Sequence, residues 1–337
     1  MRRRRCLQRA LGAVMRQPLT IVMYHYVRPI ARSRYVGIKG LEKNDFLQQL
    51  DYLQRHYVML SMVQAAACLR GDETLPSNAA LLTFDDGYLD HYLHVFPHLL
   101  ERGLTAAFYP PVCAARDRQV LDVNKIHYIL ACQPDSNLLI EQLDAAVEAA
   151  RDRFDLLPLA QYVAEWKKPF GYDTAEVIYI KRMLQHVLPA ALRGEIVDAL
   201  FARCVSADEA AFADELYMDV AQLKTMIGAG MHVGGHGAAH DWLDRLSDDA
   251  QAADIATVRD FLGELGALDE LFTFCYPYGG HNATTRRLLR EAGCALAVTT
   301  EPRVAHVGEE DALTLPRLDT NAFPRQADAA FVEPKGW

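Results

Sequence analysis

The sequence predicts an α/β protein built on a parallel sheet, open or closed into a barrel, with a long helical block set into it. Two observations predict this. Short, near-continuously apolar runs alternate with helix-period segments on both sides of the block, and such runs suit strands covered on both faces. Three short motifs, Thr83-Phe84-Asp85-Asp86-Gly87, His236-Gly237-Ala238-Ala239-His240 and Tyr276-Pro277-Tyr278-Gly279, each fall just past the C-terminal end of a predicted strand. That end carries the active site in parallel α/β barrels.

Residues 19–27 (LTIVMYHYV) read as the first strand, and a helix follows from about Asp45 with Phe46, Leu50 and Leu53 on one face. A second apolar strand, 79–84, runs into Asp85-Asp86-Gly87. Residues 89–102 read helical and stop at Gly103. Residues 104–109 form a third strand ended by Pro110-Pro111. From about 116 to 215 strand signals vanish, and 124–131, 137–154, 174–187 and 192–204 all read helical, punctuated by Pro158, Pro169 and Pro189. Alternation then resumes: helix 219–227 with Asp219 as N-cap, strand 231–235 into His236, helix 249–265, strand 272–276 into Pro277-Tyr278-Gly279, a helix starting at Asn282, strand 295–299 and a last strand over 313–318. The organisation expected is a basic N-terminal extension over 1–17, one catalytic domain over 18–325 with the insertion at about 116–215, and a tail over 326–337.

Half of the 337 residues are apolar, so a large core is available. The net charge is −9, which argues against a nucleic-acid-binding surface. No apolar run reaches the roughly 20 residues of a spanning helix. Seven scattered cysteines without a C-x-x-C pair fit a reducing compartment better than a disulfide framework. Arg9, Arg16 and Gln17 interrupt any signal-peptide core after Arg2-Arg3-Arg4-Arg5. Leu7, Ala10, Leu11 and Val14 repeat at helical spacing there, so the segment reads either as a basic amphipathic helix touching an anionic membrane or as a solvated terminus. The expectation is a cytoplasmic protein, with peripheral contact at the inner face of the membrane through that segment.

The three motifs together describe a mononuclear metal site with a spare carboxylate, the requirement for metal-assisted attack of water on an acyl group. His236 and His240 offer two imidazoles, and one of Asp85 and Asp86 completes a three-ligand set of the catalytic zinc type. The other aspartate projects from the same turn and can serve as general base. A helical metalloprotease motif would need Glu after the first His, where Gly237 stands. The turn at Tyr278 offers a backbone N–H for an oxyanion and a ring for a pocket wall.

These motifs resemble the polysaccharide deacetylase family, the NodB-like carbohydrate esterases, over about residues 20–318 outside the helical block. The opening Met23-Tyr24-His25 is similar to a subgroup of that family. The resemblance implies a deformed (β/α)7 barrel. It implies Asp85 as base, with Asp86, His236 and His240 holding Zn²⁺ or another divalent ion such as Co²⁺, Ni²⁺ or Mn²⁺. It further implies hydrolysis of the N-acyl group of an amino sugar, acetyl by default or formyl as in relatives of lipopolysaccharide pathways, the sugar being nucleotide-, lipid- or glycan-linked.

Three departures stand out. Gly237 replaces a Ser or Thr of the family pattern. Cys275 stands where the family has an Arg that pairs with the catalytic aspartate, and Arg317, in Leu315-Pro316-Arg317-Leu318-Asp319, is the candidate substitute. The family's terminal Leu-x-x-His is absent. His25, at a strand end, is the candidate general acid; it reads equally as a core histidine. His306 lies among loop residues. His127, on an inserted helix, is a candidate substrate contact or part of a solvated face. Two rival readings follow from the departures: a carbohydrate-binding protein with impaired catalysis, and a ring-opening amidohydrolase on a small nitrogenous substrate.

Overall fold

The computed structural model describes residues 17–171 and 173–335. The basic N-terminal segment, expected as either an amphipathic helix at a membrane or a solvated terminus, falls on residues 1–16, outside the described residues. Seven strands carry the framework: β1 (Gln17–Tyr24), β2 (Ala79–Asp85), β3 (Ala107–Tyr109), β4 (His232–Val233), β5 (Thr273–Cys275), β6 (Leu296–Val298) and β7 (Leu318–Asp319). β1 pairs in parallel with β2, β2 with β3 and β3 with β4. One parallel bridge, Gly235 to Phe274, leads on to β5, which pairs with β6. A second bridge, Val298 to Leu315, leads to the segment ending in β7, and β7 pairs with β1 through Val22 and Leu318. The parallel pairings therefore run in a closed cycle of the kind a (β/α)7 barrel requires, thinnest at its two single bridges.

Side-chain alternation along β2 sorts the core from the site. Phe84 stacks on Tyr24 of β1 (4.8 Å between ring centres) and on Phe108 of β3 (4.9 Å), each its register partner. Phe46, on the helix Lys43–His56, meets Tyr24 edge-on at 5.4 Å. Thr83 and Asp85, the neighbours of Phe84, project to the opposite face, where a buried arginine meets both of them.

Several elements differ from their sequence-based bounds. β1 ends at Tyr24 rather than at 27, because Tyr26 leaves the ladder to stack on Tyr88 (4.1 Å) and the carbonyl of His25 accepts a bond from His91 Nε2 (2.8 Å). The helix expected over 89–102 is broken into a wide turn, His91–Val95, and a short helix, Phe96–Glu101. Pro97 has no N–H to continue the ladder. A helix at Met62–Arg70 escaped the sequence reading although Ser61 and Gln64 form a complete capping box before it. Ala305–Val307 is an antiparallel strand on β1.

Contact density divides the chain into two compact units. The first contains the strands above. The second comprises 28–40 and 118–215, so it takes in an N-terminal loop as well as the expected block of about 116–215. Within the second unit, helices Asp122–Cys132, Ser136–Ala149, Ala175–Arg182 and Ala190–Cys204 pack on one another. Lys125 is buried there, donating to Asp198 (2.6 Å) and Glu209 (3.0 Å). Tyr128 accepts from Arg28 (2.6 Å) and packs against Phe212.

The aromatic ladder makes Phe84 the keystone of the first unit's strand packing. Phe84→Ala is expected to cost about 3–5 kcal/mol of stability, measured by denaturant unfolding. A loss below 1 kcal/mol would show that the ladder is not what holds β1, β2 and β3 together.

Candidate active site

Asp85 ends β2 with 2 % of its surface exposed, and Arg317, 1 % exposed, grips it with both arms of its guanidinium. Nη1 donates to Oδ1 at 2.8 Å and Nη2 to Oδ2 at 2.7 Å. The remaining donors of Arg317 go to Thr83 Oγ1 (3.0 Å), the carbonyl of Thr299 (2.8 Å) and Cys275 Sγ (3.2 Å). These partners lie on β2, on β5 and just after β6, so the side chain occupies the interior of the cycle. Cys275 is small enough to leave that space open. Burial alone would raise the Asp85 pKa, but the charge and hydrogen bonds of Arg317 outweigh it and bring it down to about 2. Asp85 is therefore ionised at any physiological pH.

Asp86 turns the other way. Its φ of 68° places it in the left-handed region, and Gly87 follows at 66°. A Cβ on Gly87 would stand 2.7 Å from Pro110 Cβ, so only glycine closes this turn. Asp86 Oδ2 accepts from the hydroxyl of Tyr88 at 2.5 Å. Oδ1 is left facing His236 Nε2 (3.3 Å) and His240 Nε2 (3.4 Å).

These three residues fit a cation. Their donor atoms lie within 4.8 Å of one another, and all three side chains are buried. The carbonyl of Cys275 accepts from His236 Nδ1 at 2.8 Å, which turns Nε2 towards the donor cluster. Two imidazoles and one carboxylate form a donor set suited to Zn²⁺ and to similar divalent ions. Burial and the neighbouring His236 drive His240 down to about 3, so this ring is neutral and competent as a ligand.

Asp86, His240 (φ 59°) and Tyr278 (φ 57°) are non-glycine residues in the left-handed region, and the other two such residues described, Asn78 and Arg118, lie elsewhere. Conformations of this kind cost about 1–3 kcal/mol each and concentrate at functional sites. The ring of Tyr278 stands edge-on to His240 (4.7 Å) and lies flat on Trp242 (4.5 Å, 4° between planes). Its backbone sits in the tight turn Pro277–Gly279, beside His240.

The remaining candidates fall as follows. His25 Nε2 lies 3.8 Å from Asp85 Oδ2 with its side chain 41 % exposed, which is a partly open site position and not a core one. His306 pairs with Pro18 at the amino end of β1, opposite the motifs. His127 lies in the second unit, where it lines a cavity of about 190 Å³ with Lys39, Ser136 and Lys181. Sequence reasoning missed Tyr88 and Trp242. Tyr88 adjoins the first motif and could have been flagged as a hydroxyl within reach of Asp86. Trp242 carries no spacing signal.

Known proteins share part of this sequence and its fold. The polysaccharide deacetylase family model matches residues 194–297, a stretch that holds the second and third motifs. The structure of the deacetylase PplD from Streptococcus pyogenes aligns over 90% of this chain and 93% of that one, with a TM-score of 0.55 and 16% identity. IcaB from Ammonifex degensii aligns over 90% and 92%, with a TM-score of 0.54 and 22% identity. A de-N-acetylase from Aggregatibacter actinomycetemcomitans aligns over 94% and 97%, with a TM-score of 0.52 and 15% identity. No curated protein matches the chain in sequence. At these identities the three structures establish the fold, and the family match is confined to residues 194–297.

Removing one partner of the central ion pair tests its weight. Arg317→Met leaves a buried carboxylate unpaired and is expected to cost about 3–5 kcal/mol, and adding Asp85→Asn should restore most of the loss. The pH dependence has a defined sign. Because the folded pKa of Asp85 lies below its ordinary value, the pair's contribution is complete above about pH 4 and disappears as pH falls towards about 2. Denaturant unfolding of the three proteins between pH 2 and 7 checks both statements, with equal stability of wild type and Arg317→Met at neutral pH as the contrary result.

Proposed function

We propose that this protein removes the N-acyl group, acetyl or formyl, from an amino sugar in the biosynthesis of a surface glycan such as lipopolysaccharide or capsule, and that it depends on a divalent metal. The observation that carries the reading is the placement of an ionised, arginine-held carboxylate beside a second carboxylate that shares a donor cluster with two imidazoles. Asp86, His236 and His240 would hold Zn²⁺ or a similar ion. When bound, such an ion polarises an acyl carbonyl and acidifies water. Asp85 accepts the proton of the attacking water, and Arg317 keeps it deprotonated and aimed. The backbone N–H of Tyr278 donates to the developing oxyanion. His25, near Asp85 and partly open to solvent, protonates the departing amine.

The buried ion pair and cation-binding donor set favour a working hydrolase over an impaired binding protein, because Arg317 meets the need left by Cys275. A ring-opening amidohydrolase draws no support from the family match. A cytoplasmic location with access to nucleotide- or lipid-linked sugars accompanies the proposal.

The test pairs metal content with acyl release for wild type and Asp85→Asn, on free and nucleotide-linked N-acetyl and N-formyl amino sugars. The proposal expects about one metal per chain in both proteins. It expects acid from wild type only, with kcat lowered about 10²- to 10⁴-fold in the variant. Chelation should abolish release and added metal restore it. Turnover that survives full removal of metal would refute the metal dependence.

A further inference from the structure

The loop that carries both imidazoles has little to hold it in shape. Gly237 (φ 74°) and His240 (φ 59°) are both left-handed, and the segment belongs to no helix or strand. Gly237 follows His236 and offers no side-chain hydroxyl to the loop. Outside bonds take over. Val112 N–H donates to the carbonyl of Gly237 (3.2 Å) and Cys113 N–H to that of Ala238 (2.9 Å). From the helix Asp248–Leu265, Asp254 Oδ2 accepts the N–H of Ala238 at 2.8 Å.

Asp254 occupies this place at a cost. It is 8 % exposed, and its second oxygen, Oδ1, is buried without a hydrogen-bond partner among the described residues. Burial pushes its carboxyl up to about 6, with the nearby Asp241 adding to the effect. A half-satisfied buried carboxylate destabilises a core, so its contribution is to be sought in what it holds. What it holds is the midpoint of the segment between two cation ligands.

We infer that Asp254 is the positioning residue of the histidine loop: its carboxylate fixes the Ala238 amide, and through it the angle at which His236 and His240 converge on one cation. The inference rests on the reading of Asp86, His236 and His240 as a metal site. Asp254 touches neither cation nor substrate and acts through the loop alone. Residues that orient metal ligands in this way typically change affinity about 10- to 100-fold when removed.

The experiment is a Zn²⁺ dissociation constant, by competition with a chromogenic chelator, for wild type, Asp254→Asn, Asp254→Ala and Asp254→Leu, with melting temperatures of the metal-free proteins alongside. Asparagine keeps an oxygen for Ala238; leucine fills the space without an acceptor and serves if alanine does not fold. The expected result is a Kd raised about 10- to 100-fold in the alanine and leucine variants, with asparagine close to wild type. Wild-type Kd in the alanine and leucine variants, whatever their melting temperatures, would make the role structural and overturn the inference. Equal weakening in all three variants would overturn it as well, because the acceptor would then not be what matters. If wild type itself binds no Zn²⁺, the metal-site reading fails and takes this inference with it.

Discussion

The bidentate pair between Arg317 and Asp85 is the constraint on which the site depends. It joins the end of β2 to the residue just before β7, so it forms only if the strand cycle closes. A charge pair this deep is costly to desolvate and tolerates no missing partner. The surroundings answer that demand. Thr83, Thr299 and Cys275 take up the remaining guanidinium donors, and the Thr83 hydroxyl in turn donates a hydrogen bond to the carbonyl of Val22 at 2.8 Å. The resemblance read from the motifs implies an arginine at position 275, where this chain has cysteine. This chain supplies a guanidinium from position 317 and keeps position 275 small, so the charge reaches Asp85 from the residue just before β7.

The two adjacent aspartates then diverge by environment alone. Asp85 continues the extended backbone of β2 and points into the interior, where Arg317 holds it. Asp86 lies one residue on, across a left-handed turn, and points towards Tyr88 and the two histidines. Identical side chains thus acquire separate surroundings because one backbone angle changes sign. Pairs of titratable groups driven apart by their surroundings mark acid–base sites in general. The strain at Asp86, His240 and Tyr278 is the backbone's share in that arrangement.

The second compact unit follows other rules. Its helices are held by a buried lysine with two acidic partners and by a cluster around Tyr128. Neither feature resembles the strand-end chemistry of the first unit. Its boundary shows how a tertiary unit escapes a linear reading: the loop 28–40 joins it from more than 75 residues upstream of its main block.

Much of the fold was legible because its signals are local. Apolar runs of strand length, Asp219 and Asn282 as N-caps and glycines after helices each act within a few residues, and the structure places strands and helices where they point. The donor set was legible for the same reason: Asp85-Asp86-Gly87 and His236 to His240 are short motifs, and spacing alone states that two imidazoles and two carboxylates are available. Arg317 could be named as a candidate because a charge was missing at position 275. Its bidentate grip on Asp85, the turning of Asp86 away from it, the bond from His236 to the Cys275 carbonyl and the arrival of Asp254 beneath the histidine loop could not be read. Each joins residues separated by many positions or depends on the sign of a single φ. The sequence by itself determined which chemical groups this protein has at its strand ends. Only the tertiary structure decided which of them face each other, because facing is settled by closure of the strand cycle and not by any local preference.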